Sequence, residues 1–384
     1  MINGLRLKQV RELMGLTQSE LALNLDVSQS LIAYIEGGYF QPAEEILQRI
    51  CEYTHFPQSF FEQIEVTEFP YGSLLYRSRT SVDALEKSQA NRYGQFMYEI
   101  AEKLVSKLNY RQFKFPKGRV DASIAARITR SNLGYTSDLP IDDLIYDLER
   151  NGVFIFNSPV HFNKVDAFAV WAGYDNKMPV IILTGVSPAD RLRYSVAHEL
   201  GHLILHSTLF GDIQEFEREA DVFASELLMP EETMRRVIVE PFSLAKAIRL
   251  RSEWKVSIQA LVRRAHDLHI ISGATYKSLY VQMSQQKKKL QERFSLDVPE
   301  QPRGLRSMAE TVYGKKINYQ QFSKDTKFPI SLLKQIIEAQ ASEEEYTRRR
   351  ESTNQELSTH KAKILDFPGN KDRDIAKNTN LKQN

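Results

Sequence analysis

The chain has 384 residues, with 51 Lys and Arg against 49 Asp and Glu, one cysteine and 42% hydrophobic residues. At about 100 to 200 residues per domain, this length predicts two or three domains, each able to bury a core. The charged content of 26% and the mean hydropathy of −0.40 are typical of a globular protein and exclude a largely disordered one. The single cysteine, Cys51, excludes an intramolecular disulfide and a cysteine-based zinc cluster.

Membrane and secretory segments are not evident in the sequence. No apolar run approaches the roughly 20 residues needed to cross a bilayer, and the N-terminal residues MINGLRLKQV lack the apolar stretch of a signal peptide. Together with the lone cysteine, these features lead us to expect a cytoplasmic protein with no membrane partner.

The near-neutral total conceals an uneven charge distribution. Residues 1–70 carry 4 Lys and Arg against 10 Asp and Glu, which is a net charge of −6. Residues 285–384 carry 20 against 14, which is +6, and residues 71–284 carry the remaining 27 against 25. The sequence therefore has an acidic beginning and a basic end.

The first 70 residues are predicted to form a domain of short helices. Residues 17–20, Thr-Gln-Ser-Glu, form a capping box that begins one helix. Asp26 then lies in a tight turn, and Ser28 caps a further helix over residues 29–36. Gly37 and Gly38 end that helix.

The rest of the chain is predicted to be mostly helical with a small β-sheet, an α+β fold. Residues 71–120 read as a helical connector, with its helix at 85–108, followed by a linker at 111–120. Residues 121–285 read as a second domain, with helices at 122–132, 141–151, 187–206, 214–228 and 243–284 and β-rich runs at 153–156, 167–171 and 180–183. Residues 286–340 form a helical extension, 341–384 a polar tail expected to be largely disordered, and no internal repeat is evident.

The clearest chemical signal is the run His198-Glu199-Leu200-Gly201-His202, an HExxH motif. Histidines four residues apart lie on one face of a helix, so that both imidazoles can bind one Zn²⁺. Glu199 is then placed to take a proton from a zinc-activated water and to pass it to a leaving amine. The motif predicts a zinc-dependent hydrolase, although manganese and iron suit the same ligand types.

A catalytic zinc site needs a third protein ligand, and the next helix offers carboxylates. Glu217 is the preferred ligand, and Asp221, four residues later, is expected to accept a hydrogen bond from a ligating imidazole. Glu215 and Glu219 are rivals, and Glu219 is expected to point elsewhere on the helix. The alternative interpretation of this helix is a solvated run of glutamates. The alternative interpretation of the motif is a pair of core histidines on an ordinary helix.

Further side chains are expected near the site. His206 lies eight residues after His198, on the same helix face, and is expected to line the site or orient the substrate rather than bind the metal. Tyr194, His206 and Tyr174 are alternative candidates for stabilising a developing oxyanion.

The segments SVAHELGHLILH and EREADVFASELLMP resemble the ImmA/IrrE family of metallopeptidase domains, and GLTQSELALNLDVSQSLIAYIEGGYFQP is similar to XRE-type helix-turn-helix domains. The resemblance implies a zincin-like peptidase domain fused to a DNA-binding module. It implies His198, His202 and Glu217 as metal ligands and Glu199 as the catalytic acid and base. A repressor or other regulatory protein would be the substrate, and an operator the DNA partner. A homodimer is expected.

The helix-turn-helix segment departs from its family pattern in its charge. The residues expected to face DNA are polar or aromatic and include no Lys or Arg: Thr17, Gln18, Ser28, Gln29, Ser30 and Tyr34. Asp26 replaces the usual turn glycine, and the net charge of −6 opposes phosphate contacts. Binding of another regulator competes with DNA binding as the role of this domain.

Three functions are consistent with these features. The first is a zinc endopeptidase that cleaves a regulatory protein in transcriptional regulation or in a stress or phage response. The second is a DNA-binding regulator whose zinc-type domain senses a ligand without proteolysis, and the third is an antitoxin-like component. The presence of Glu199 favours the enzyme, because a structural metal site does not need an acid at that position.

Overall fold

The computed structural model describes residues 1–64, 67–72, 83–108, 115, 120–162, 166–174, 178–185, 188–206, 212–286, 299–348 and 351. Most of the predicted linker at 111–120 and all of the predicted tail beyond residue 351 lie outside these residues. Within the described residues, no helix is both long and apolar enough to span a membrane.

The N-terminal helices follow their predicted caps. They are α1 (Gly4–Leu13), α2 (Gln18–Asn24), α3 (Gln29–Glu36), α4 (Glu44–Thr54) and α5 (Gln58–Phe61). Thr17 and Glu20 form the reciprocal capping box, and the Ser28 side chain accepts a hydrogen bond from the backbone of Leu31. Asp26 has the left-handed φ of 51°, so a short acidic residue occupies the turn as expected.

The helix of the predicted connector is a central core element. Helix α6 (Ala84–Val105) contacts α1 on one side and the sheet on another. Phe96, Met97 and Ile100 on this helix are fully buried in a hydrophobic core that also contains residues of α1 and α5. The N-terminal helices are therefore packed against the rest of the described chain through α6.

The sheet has three strands and lies between two hydrophobic cores. Strands β1 (Phe154–Asn157), β2 (Ala167–Ala172) and β3 (Met178–Leu183) are ordered β1-β3-β2, with β1 parallel and β2 antiparallel to β3. Because side chains alternate along a strand, Phe154 and Ile182 face the core around α6, whereas Ile155 and Ile181 face the opposite core. These observations confirm the α+β prediction.

The remaining helices build the layers on both sides of the sheet. They are α7 (Ala122–Asn132), α8 (Leu144–Arg150), α9 (Ala189–Leu205), α10 (Ile213–Leu228), α11 (Glu231–Val237), α12 (Leu244–Trp254), α13 (Ile258–Asp267), α14 (Gly273–Gln285), α15 (Gly304–Tyr313), α16 (Tyr319–Thr326) and α17 (Ile330–Glu338). Left-handed residues at Asp26, Lys255 and Lys327 each precede a new helix by a few residues. The predicted helices and β-runs are thus recovered, with ends shifted by a few residues.

Helices α9 and α10 approach each other closely at Gly201. A Cβ atom added to Gly201 would lie 3.2 Å from the Cα of Ala220 and 3.1 Å from the Phe223 ring, which is tighter than nearly all real Cβ contacts. A side chain at this position would require its neighbours on α10 to shift by a few tenths of an ångström. The glycine inside the HExxH motif therefore sets the spacing between the two helices that carry the predicted metal ligands.

The N-terminal helices are tied to α6 by a buried ion pair. Arg6 Nη1 lies 2.8 Å from Glu99 Oε2, and the two side chains are only 3% and 2% exposed. We expect Glu99→Ala to lower the free energy of unfolding by about 3–5 kcal/mol, because the Arg6 guanidinium would stay buried without its carboxylate. Urea denaturation of the full chain measures this change.

A matched surface change distinguishes the buried pair from general sensitivity. Glu52→Ala removes an exposed carboxylate of α4 and should change stability by less than about 0.5 kcal/mol. Equal destabilisation by the two variants would contradict the role given to the buried pair.

Candidate metal centre

Helix α9 carries both histidines of the HExxH motif on its buried face. His198 and His202 are 8% and 5% exposed, and their Nε2 atoms lie 3.1 Å apart. The helix packs on β2, where Trp171 Nε1 donates a hydrogen bond of 2.9 Å to the Leu203 carbonyl. The four-residue spacing therefore brings the two imidazole nitrogens to one point, as the helical repeat requires.

Helix α10 supplies the carboxylate that faces this point. Glu217 Oε2 lies 3.4 Å from His198 Nε2, and Glu217 Oε1 lies 3.4 Å from His202 Nε2. The three potential ligand atoms are all within 4.8 Å of one another. Two imidazoles and one carboxylate form the ligand set of a catalytic zinc site that keeps an open position. The donor chemistry of these side chains therefore fits a divalent zinc ion.

The electrostatics of the cluster follow from its composition. Burial lowers the pKa of His198, but hydrogen bonds to Asp221 and Glu217 and the charge of Glu199 outweigh that effect and raise the pKa to about 9. Hydrogen bonds from His198 and His202 hold the pKa of Glu217 far below its usual range, although burial opposes this shift. The cluster thus favours a charged carboxylate, the form that binds a metal ion.

Asp221 contacts the outer nitrogen of the first histidine. Its Oδ1 atom lies 2.9 Å from His198 Nδ1, the contact expected for a carboxylate that orients a ligating imidazole. The Tyr194 hydroxyl lies 3.2 Å from Ser225 Oγ and 3.3 Å from the Asp221 carbonyl oxygen. Burial is the main cause that raises the pKa of Tyr194 to about 12. Tyr194 thus contacts α10 beside Asp221.

A second chain of contacts supports His202. His206 Nδ1 lies 3.0 Å from His202 Nδ1, and His206 Nε2 lies 2.9 Å from Glu219 Oε2. The Phe216 ring packs on the His206 ring, with centroids 4.3 Å apart. If His202 uses Nε2 for a metal, its Nδ1–H donates to His206 Nδ1, and His206 Nε2–H donates to Glu219.

Glu219 has a contact that the sequence interpretation did not predict. Glu219 is not part of the His198, His202 and Glu217 cluster, and its partly exposed carboxylate contacts His206. His206 was the feature of the sequence that could have indicated this contact. It lies four residues after His202 on the same helix face, so it can reach Glu219, the next carboxylate of α10 after Glu217. Glu215 lies outside the cluster, exposed and 3.7 Å from Arg218.

Glu199 is fully buried on α9, immediately after His198. Its charge contributes to the raised pKa of His198, so the carboxylate lies within electrostatic reach of the cluster. Glu199 thus stays the sequence-predicted candidate for proton transfer.

The residues predicted to face DNA have different contacts in the structure. Thr17 and Ser28 use their hydroxyl oxygens as helix caps. Gln29 donates a hydrogen bond of 2.8 Å to Gln18, and Gln18 donates one of 2.8 Å to Glu36, so these amides form a network on the surface. The exposed face of α3 carries the predicted residues Gln29, Ser30 and Tyr34.

The few basic residues of this region are largely occupied. Arg11 forms two hydrogen bonds with the buried Glu36, Arg6 pairs with Glu99, and Arg49 donates to the Leu25 carbonyl. Of the four basic side chains among residues 1–70, Arg6 and Arg11 are buried, whereas Lys8 and Arg49 are exposed. Three of the four basic side chains of this region therefore make contacts within the protein, which leaves few positive charges to offset its acidic character.

Comparison with known families matches two segments of the chain. Residues 148–266 match the family model of the IrrE N-terminal-like domain, a peptidase family, and residues 7–57 match that of the helix-turn-helix. No curated protein matches the chain. The first segment contains His198, His202 and Glu217, and the second contains helices α2 and α3. Residues 7–57 therefore match an N-terminal helix-turn-helix of the XRE type, and residues 148–266 match a peptidase-family domain of the ImmA/IrrE type.

Proposed function

We propose that the chain is a zinc-dependent endopeptidase that cleaves a regulatory protein, with the helix-turn-helix directing it to its target. The observation that carries the proposal is the convergence of His198, His202 and Glu217 within 4.8 Å, with the buried Glu199 next to the first histidine. The match of residues 148–266 to a peptidase family supports the same conclusion.

Zinc held by His198, His202 and Glu217 would supply a water of lowered pKa and a Lewis acid for a peptide carbonyl. The protein's own groups have separate tasks. Glu199 takes the proton of the attacking water and delivers it to the leaving amine. Asp221 orients the His198 ring, and Glu219 orients the His202 ring through His206. Tyr194 holds the α10 backbone beside Asp221.

The substrate that fits this arrangement is a protein, because endopeptidases of this type act on polypeptides and the helix-turn-helix belongs to the machinery of transcription. A repressor or similar regulator is the proposed substrate, and a homodimer the proposed assembly. We also propose that the chain is divided into five parts, residues 1–70, 71–120, 121–285, 286–340 and 341–384.

A DNA-binding regulator without proteolysis is the second candidate. It is favoured by the helix-turn-helix match at residues 7–57 and by the exposed polar face of α3, which carries Gln29 and Ser30. Glutamine pairs with adenine in the major groove, and serine tolerates several bases. An electrophoretic shift with the gene's own upstream DNA, combined with an absence of proteolysis by wild type, would favour this candidate.

The metal part of the proposal is tested by zinc binding. We expect about one zinc per chain by elemental analysis, and a 10- to 100-fold weaker affinity in Asp221→Asn, because the His198 ring loses its orienting carboxylate. Competition with a chromophoric chelator measures the affinity. Glu215→Gln, an exposed change on the same helix, should retain the wild-type affinity.

Two outcomes would contradict this assignment. A purified protein that takes up no zinc would exclude the proposed site, and an Asp221→Asn affinity equal to that of Glu215→Gln would exclude the orienting role. The peptidase part of the proposal is tested by loss of cleavage in a Glu199→Gln variant that still binds zinc.

A further inference from the structure

The C-terminal helices repeat the geometry of the N-terminal helix-turn-helix. Helices α2 and α3 begin at residues 18 and 29, and α16 and α17 begin at residues 319 and 330, a constant offset of 301. The cap before the first helix is Thr17 in one case and Asn318 in the other, and both side chains accept a hydrogen bond from the residue three positions later.

The turn between the two helices is repeated as well. Asp26 has a φ of 51°, and Lys327, at the same offset, has a φ of 64°. An L-residue enters this conformation rarely, and it recurs here at the same position of both corners, as it also does at Lys255 before α13. Both corners are followed within three residues by the second helix.

Burial follows the same register. Leu21, Leu25, Ile32 and Ile35 are buried, and so are their counterparts at the same offset, Phe322, Thr326, Leu333 and Ile336. The exposed residues Ser30 and Tyr34 correspond to the exposed Ser331 and Gln335. Four of these six pairs differ in residue type, which explains why no repeat is evident from the sequence alone.

The two units are also held in a related way. Helix α1 contacts α6, and so does α15, the helix that precedes the C-terminal corner. In the C-terminal corner, Phe328 packs on Phe60 and Phe96, and Lys103 donates a hydrogen bond of 2.8 Å to the Thr326 carbonyl. The C-terminal unit, defined here as residues 304–338, is therefore firmly seated on α6.

The charges of the two units differ in sign. Residues 304–338 contain six Lys and Arg against three Asp and Glu, a net charge of +3, whereas residues 4–36 contain three against four, a net charge of −1. Lys315, Lys316, Lys324 and Lys334 are all exposed. Within the part of the chain that the structure describes, no carboxylate lies at ion-pairing distance from Lys316, Lys324 or Lys334.

The neighbouring acidic run offsets part of this charge, but within the described residues it does not reach Lys316, Lys324 or Lys334. Glu343, Glu344 and Glu345 lie 3.5, 3.2 and 3.9 Å from Arg303, Lys315 and Arg306, respectively. Of the four lysines, only Lys315 takes part in these pairs.

The exposed face of α17 has the composition of a DNA-contacting helix. Ser331, Lys334 and Gln335 are spaced so that they share one helical face, the counterpart of the α3 face with Ser30 and Tyr34. In a helix-turn-helix the N-terminal part of this second helix enters the major groove, and the first helix crosses the backbone. Ile330, 37% exposed at the start of α17, offers an apolar contact for a thymine methyl group.

We propose that the C-terminal unit is a second helix-turn-helix that contacts duplex DNA, with Lys316 and Lys334 binding phosphates and Ser331 and Gln335 facing base edges. It supplies the positive charge that the acidic N-terminal unit lacks. DNA binding then uses two units on opposite ends of the chain, both anchored to α6. This proposal is independent of whether the zinc site is a peptidase.

The proposal is tested by fluorescence anisotropy of the full chain with two labelled duplexes, the gene's own upstream region and a shuffled duplex of equal length. We expect binding at about 50 mM salt that weakens linearly with the logarithm of salt concentration. The double variant Lys316→Gln/Lys334→Gln should make that slope shallower by about 2, since each lost phosphate contact removes about 0.9.

A matched variant separates this site from general charge effects. Lys277→Gln removes an exposed lysine of α14 and should leave the slope unchanged. A slope and affinity of the double lysine variant equal to wild type would overturn the proposal. So would a wild-type chain with no affinity for either duplex at about 50 mM salt, a result that would mark the surface as a protein contact.

Discussion

Replacing Glu199 by glutamine is expected to reduce proteolysis by about 10²- to 10⁴-fold while zinc stays bound. The side chain is fully buried beside His198, and glutamine has nearly the same shape, so that packing is preserved. The amide cannot accept the proton of the attacking water. The three ligating side chains, His198, His202 and Glu217, are unchanged in this variant.

The measurement compares new protein N-termini in cells that express wild type or Glu199→Gln at equal levels. A cleaved regulator should yield a new N-terminus with wild type that is absent with the variant, and purified components should reproduce the difference. Glu215→Gln, an exposed neutralisation on α10, is the control and should cleave as wild type does. Undiminished cleavage by a zinc-loaded Glu199→Gln protein would show that another group transfers the proton.

Removal of Glu217 is expected to weaken zinc binding by more than about 100-fold, beyond the effect of losing a carboxylate that only orients a ligand. Its two carboxylate oxygens each lie 3.4 Å from one imidazole nitrogen, and no other carboxylate of α10 faces both rings in the described cluster. Glu217→Ala leaves two histidines, which do not complete a catalytic zinc site.

The carboxylates of α10 form a graded series for this experiment. Zinc competition should rank Glu217→Ala as the weakest binder and Glu219→Ala as intermediate, about 10- to 100-fold below wild type, because Glu219 acts through His206. Glu215→Ala should be unchanged. Circular dichroism of each variant without metal tests whether the helix still forms. If Glu219→Ala loses more affinity than Glu217→Ala, the roles of these two residues are reversed.

Much of the site was accessible from local sequence patterns. The spacing of His198 and His202 predicts convergence because a helix repeats every 3.6 residues, and the structure brings their Nε2 atoms to 3.1 Å. The caps at Thr17 and Ser28 were similarly readable, because a cap depends on the few residues that follow it. In both cases the interacting groups lie within one or two helical turns.

Contacts between distant segments were harder to foresee. Arg6 and Arg11 count as positive charges in the sequence. In the structure, Arg6 forms an ion pair with a buried carboxylate of α6, and Arg11 forms one with a buried carboxylate of α3. Helix α6, which the sequence assigned to a connector, packs against both α1 and α15. Neither fact follows from periodicity, because burial depends on which surfaces meet after the elements fold.

The repeated corner illustrates the same limit. Residues 18–36 and 319–337 share three identical residues in 19 positions, yet their left-handed turns and many of their buried positions coincide at an offset of 301. A repeat of this kind is preserved as a pattern of burial and backbone conformation, because many apolar residues fill equivalent core positions. Comparing residue identities therefore misses it, whereas comparing helix starts and turn conformations reveals it.

The sequence alone determined the ligand types, the spacing of the two histidines and the acidic character of the first 70 residues. The tertiary structure decided which carboxylate of α10 meets the histidines, and it assigned Glu219 to His206. The physical reason is that the rotation of α10 about its axis is set by its packing on α9, where Gly201 allows the helices to approach closely. Spacing within one helix is a local property, but the orientation of two helices is a property of the assembled core.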